Sequence, residues 1–165
     1  MPPMRFYVGT YTEKTGSKGI YSCELDDASG AVKVVGVAVE VTNPSFLAIH
    51  PSGQFLYAVG EGGGERNVHA YAIEGAGGAL RKLNSEPSNG LGACHVSVDP
   101  SGRCVLIAHY GSGHVAVLPI LPDGRVGPVS CIVKHEGSGP DKKRQDGPHA
   151  HSVTPSPDGR FALAC

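Results

Sequence analysis

AIHPSGQFLYAVGE, residues 48–61, and SVDPSGRCVLIAHY, residues 97–110, are the same phrase written twice, and VTPSPDGRFALAC, residues 153–165, begins it a third time. Each copy carries a short alternating run, a turn built on Pro51, Pro100 or Pro157 followed by glycine, and a second apolar run. Proline presets φ for the turn and glycine supplies the left-handed position, so the phrase reads strand, tight turn, strand. The repeat length is about fifty residues, the size of one propeller blade.

The runs between the copies complete the unit. Strands are expected over residues 5–12, 19–25, 32–41, 45–50, 55–60, 67–73, 79–84, 94–98, 104–109, 114–118, 129–134, 149–154 and 160–165. No stretch keeps an apolar face at helical spacing for three turns, because Gly or Pro interrupts every candidate. The predicted class is therefore all-β, a β-propeller of four-stranded meander blades. Units fall at about 5–41, 45–84, 94–134 and an incomplete 149–165, within one domain over residues 1–165. A β-sandwich would account for short strands but not for the repeated phrase. About three blades are present, whereas closure takes four to eight. The chain is accordingly read as the N-terminal portion of a single, longer propeller domain. The alternative is a small domain that assembles with its own copies.

Composition narrows the class of function. The net charge of −1, with basic residues clustered only at Lys142-Lys143-Arg144, gives no nucleic-acid footprint. There is no eighteen-residue apolar run and no basic-then-apolar leader, so neither a membrane span nor a secretory signal is expected. The five cysteines are an odd number, widely spaced and without a CxxC pair. They read as free thiols in a reducing compartment, which makes the cytoplasm the expected location.

With the blade pattern in hand, YVGTYT (7–12), NPSFLAIHPSG (43–53), CHVSVDPSGR (94–103), YGSGHVAVLPI (110–120) and GSGPDKKRQDGPHAHSVTPSPDGRF (137–161) resemble the lactonase family of seven-bladed propellers. That family contains hydrolases of 6-phosphogluconolactone and carboxymuconate-lactonizing enzymes. The resemblance covers essentially the whole chain. It implies about three blades of an expected seven, no cofactor, no required metal, a small lactone as substrate and a monomeric full-length protein. It also implies further site residues, an arginine and glutamate set, in later blades. Gly60-Glu61 and His109-Tyr110 stand where relatives often carry Asn-Glu and Asn-Tyr.

In such a meander the loops before each inner strand and the loops joining second to third strands share one end of the channel. Residues 41–44, 91–93 and 135–148 belong to the first set, and residues 11–18, 61–66 and 110–113 to the second. The richest stretch is RQDGPHAHSVTPSP, residues 144–157. On a strand, His149 and His151 would lie on one side with Ala150 on the other. Lactone hydrolysis needs a base for water and an acid for the leaving alkoxide, which histidine supplies near neutral pH. His149 or His151 is thus the expected acid/base, with the other orienting it or binding substrate. Glu61 is expected to position a histidine or water. Arg144 suits a substrate phosphate or carboxylate. His95, His109 and Tyr110 are further pocket candidates. His50 and Asp99 sit beside the Pro-x-Gly turns and are expected to cap them. The competing functions are a lactonizing cycloisomerase and a non-catalytic propeller that binds a ligand or partner. A chain of this length, with open strand edges, is expected to associate with itself.

Overall fold

The computed structural model describes residues 3–62, 66–75 and 77–165. The expected glycine-rich loop 61–66 therefore lies partly outside the described residues. The described residues form thirteen antiparallel strands and no helix. β1 (Met4–Val8), β2 (Gly19–Leu25) and β3 (Val32–Glu40) make a three-stranded meander. β4 (Phe46–Ile49), β5 (Phe55–Val59), β6 (Asn67–Glu74) and β7 (Ala79–Pro87) make the first four-stranded sheet. β8 (Ala93–Val98), β9 (Cys104–His109), β10 (His114–Pro119) and β11 (Cys131–Lys134) make the second. β12 (Val153–Pro155) pairs with β13 (Ala162–Ala164). This is an incomplete propeller with about three of seven blades.

Sheets stack face to face, and the alternation of side chains on a strand explains how. On β5, Tyr57 and Val59 enter a core shared with Val96 of β8 and Val105 and Ile107 of β9. Leu56 and Ala58, pointing the other way, pack with Ile20 of β2 in the three-stranded sheet. β9 repeats the device: Val105 and Ile107 face backward, while Leu106 and Ala108 meet Ala150 and Val153 of the last unit. A strand buried on both faces needs an apolar residue at every position. That is why FLYAV and CVLIA read as unbroken runs. The outer strands β3 and β11 are exposed for most of their length.

The inner strands β4, β8 and β12 lie side by side around the axis. At one end of the sheets the Pro-x-Gly turns are capped as expected. Asp99 accepts hydrogen bonds from the amides of Ser101, Arg103 and Cys104. His50 pairs with Ser52 and donates to the Gly102 carbonyl at 3.0 Å.

Several strand ends differ from the sequence reading. The first strand stops at Val8 rather than Thr12, and the weak strand expected over 79–84 runs to Pro87. The larger correction concerns residues 149–154: only Val153–Pro155 is strand. The His151 amide donates to the Cys165 carbonyl at 2.8 Å, and the Cys165 amide to the Ser152 carbonyl at 3.1 Å. Two residues thus oppose one, as in a β-bulge, and regular pairing starts beyond it. The same irregularity occurs in β8 between Ala93 and His95, at Cys94.

Candidate active site

The end of the propeller opposite the turns is built from crossover segments pressed against strand ends. The Tyr110 amide donates to the Gly92 carbonyl at 2.8 Å, and the Gly111 amide to the Leu91 carbonyl at 3.0 Å. A Cβ on Gly60 would stand 2.4 Å from the Asn43 carbonyl oxygen, and one on Gly113 would stand 2.3 Å from that of Pro148. Only glycine permits such approaches. They draw the loops together around a cleft of about 480 Å³ lined by Glu61, Gly92, Tyr110, Gly111, Arg144 and His151, with Gly62.

Four of the expected site residues therefore share one cleft. Glu61 and Tyr110 hold equivalent places in the repeat, just past the second strands β5 and β9 of their sheets, so the repeat itself sets both on the rim. Arg144 reaches back to Tyr110, its Nη2 3.3 Å from the phenol oxygen. The two histidines converge on the same ring rather than along a strand. His149 stacks on Tyr110 with centroids 4.5 Å apart, and His151 meets its edge at 5.7 Å.

Their surroundings separate the two. His149 Nδ1 lies 2.9 Å from the Tyr110 carbonyl oxygen, so that nitrogen must carry a proton and donate it. Its Nε2 lies 3.5 Å from Asp146. His151 is exposed and its ring has no hydrogen-bond partner among the described residues.

His95 is half-buried beside the cleft. Its ring lies 4.3 Å from that of Phe46, and its Nδ1 accepts the Val153 amide at 3.3 Å. Burial, with a smaller contribution from the His151 charge, lowers its pKa and favours the neutral imidazole. His109 is not brought to the cleft. It is fully buried, packed 4.5 Å from His114 and bonded through Nε2 to Ser88 Oγ at 2.9 Å. Its neighbour Tyr110 takes the rim position, because consecutive residues at the end of β9 face opposite ways.

Three residues lie in stretches the sequence reading placed at the mouth but were given no role there. Asp146, three residues before His149, is one. The others are Tyr11, whose phenol donates to Glu61 Oε2 at 3.0 Å, and Asn43, which is 1 % exposed. Asn43 adopts a left-handed φ of 43°, which asparagine tolerates better than most residues. An asparagine before Pro44, ending a valine-rich strand, was the available signal. Among the described residues, no three His, Cys, Asp or Glu side chains are grouped to hold a metal ion. Nor is any helix long and apolar enough to cross a membrane.

Stacked four-stranded meanders with Glu61, Tyr110, Arg144 and His151 gathered at one mouth define the class, a propeller with a candidate site at one end of its channel. The chain belongs to the lactonase family: the family described as "Lactonase, 7-bladed beta-propeller" matches residues 5–165. It is 39 % identical to the 6-phosphogluconolactonase of Bacillus subtilis over 158 residues, 96 % of this chain and 45 % of that protein. A structure from Bacteroides fragilis superposes with a TM-score of 0.91 at 36 % identity, covering 99 % of this chain and 45 % of that one. The periplasmic gluconolactonase of Pseudomonas aeruginosa superposes with a TM-score of 0.87 at 31 % identity, covering 99 % and 47 %. The chain thus spans under half the length of these relatives. Family membership supports a lactone-hydrolysing activity in general.

Proposed function

We propose that the whole protein hydrolyses 6-phosphogluconolactone to 6-phosphogluconate. The observation that carries this reading is the gathering of Glu61, Arg144 and His151 around one cleft beside Tyr110. Water adds to the lactone carbonyl and gives up a proton. The ring C–O bond then breaks, the departing alkoxide takes that proton back from the base, and the new carboxyl group releases its own proton to solvent, leaving a carboxylate and a hydroxyl. His151, exposed in the cleft, serves as base and then acid. His149, tied to the Tyr110 carbonyl and beside Asp146, orients the Tyr110 ring and binds substrate. Glu61 holds the attacking water. Arg144 takes the phosphate through paired N–H bonds, for which a planar guanidinium is suited. His95 and Tyr110 contact the sugar, and His109 supports the fold from within.

The named Bacillus subtilis relative supports this substrate. We assign the reaction to the cytoplasm because all five cysteines are free. Cell fractionation checks that assignment. The functional test is acid release from 6-phosphogluconolactone, compared with gluconolactone and a carboxymuconate-type lactone. The reading expects the phosphorylated lactone to be the best substrate. Turnover of only the carboxymuconate lactone would instead give Arg144 a carboxylate to hold.

A further inference from the structure

Glu61 is held by a residue from the loop between β1 and β2, fifty positions away. The Tyr11 phenol donates to Glu61 Oε2 at 3.0 Å. The other carboxylate oxygen, Oε1, has no partner among the described residues. A carboxylate so held has one oxygen fixed and one left for a cleft ligand.

The fold also fixes the height of this pair. Asn43 Oδ1 accepts the amides of Thr12 at 2.8 Å and Glu13 at 3.2 Å, and Thr12 Oγ1 in turn accepts the Asn43 amide at 3.1 Å. The backbone carbonyl of the same Asn43 lies against Gly60, close enough to forbid a side chain there. Thr12 follows Tyr11 and Gly60 precedes Glu61. One buried asparagine therefore grips the chain next to both members of the pair.

We propose that Tyr11 is a positioning residue for the Glu61 carboxylate and that Asn43 is the anchor that brings the two together on the cleft rim. This rests on the lactonase reading, in which Glu61 holds the attacking water. The phenol carries the mark of the same contact. The hydrogen bond to Glu61, followed by burial, raises the Tyr11 pKa above that of an ordinary tyrosine.

The test uses the full-length protein. Tyr11→Phe removes one hydroxyl from an exposed side chain. It is expected to lower kcat roughly tenfold while KM stays within about twofold, as for a group that aligns a reacting residue without binding substrate. Asn43→Gly keeps the left-handed backbone and removes the amide, and should reproduce that pattern. Tyr11→Phe carries the test if the glycine variant does not fold. Ultraviolet titration of the phenols, with Tyr11→Phe subtracted, should show Tyr11 ionising at lower pH in Glu61→Gln than in the parent. Wild-type kcat and KM in Tyr11→Phe, alongside an impaired Glu61→Gln, would overturn the proposal. So would a Tyr11 titration indifferent to residue 61. If the titration responds but no lactone is hydrolysed, the pairing stands and the lactonase reading falls.

Discussion

His149 and His151 stand two residues apart, yet the fold gives them different surroundings. One has its nitrogens near the Tyr110 carbonyl and Asp146, while the other is open to the cleft. Loss of a proton-transfer group costs about 10²–10⁴ in rate, so His151→Ala is expected to lower kcat/KM at least a hundredfold. Arg144→Gln should raise KM for the phosphorylated lactone roughly tenfold or more and leave gluconolactone nearly unaffected, a split read by steady-state kinetics. The buried His109 leads to a different prediction. Burial, with the neighbouring His114 charge adding to it, lowers its pKa to about 4. The unfolded chain, with its ordinary value near 6.5, therefore takes up the proton first. The stabilisation is complete above about pH 6.5 and is lost as pH falls toward about 4, amounting to ~3 kcal/mol by linkage. Burial lowers His114 as well, adding in the same direction. Thermal unfolding should show this loss across that window, and His109→Asn should make it shallower, leaving the His114 share.

Strands and turns were legible because their causes are local. Pro51, Pro100 and Pro157 with their glycines mark the turns, and runs such as FLYAV record burial on both faces. Of the six loops expected at the mouth, 61–66, 91–93, 110–113 and 135–148 supply residues that line the cleft, since a meander fixes which connections share an end, whereas 11–18 and 41–44 stand behind it. The strand expected over 149–154 failed for a reason no local pattern shows. The backbone at His151 and Ser152 bulges against Cys165, and His149 turns to the Tyr110 carbonyl. His109 and Tyr110 looked alike in sequence because a histidine ending a strand reads the same whether it faces the core or the rim. The Tyr11–Glu61 and Thr12–Asn43 contacts join loops 50 and 31 residues apart, beyond any periodicity. Gly113 tests the crossover geometry. It has a φ of 63° and no room for a Cβ beside Pro148. Gly113→Ala should cost about 1–3 kcal/mol in denaturant unfolding and should also weaken activity, because Pro148 carries His149.

At the scale of the molecule, the sheets are stacked but the arc is open. Phe161, just before β13, and Leu163, within it, are 63 % and 61 % exposed, and Val32, Val34, Val35 and Val37 of β3 are exposed as well. Such edges and faces invite pairing with another chain. The 165-residue chain alone is expected to elute in gel filtration as an assembly larger than 17.0 kDa, and Leu163→Lys to shift it toward the monomer. The full-length protein is expected to be monomeric. The catalytic account rests on the cleft around Tyr110, and continuous titration of acid released from 6-phosphogluconolactone by the full-length protein tests it most directly. The account predicts turnover well above the buffer rate, with His151→Ala reduced at least a hundredfold. No acceleration by the parent protein, or full activity in both His149→Ala and His151→Ala, would contradict it.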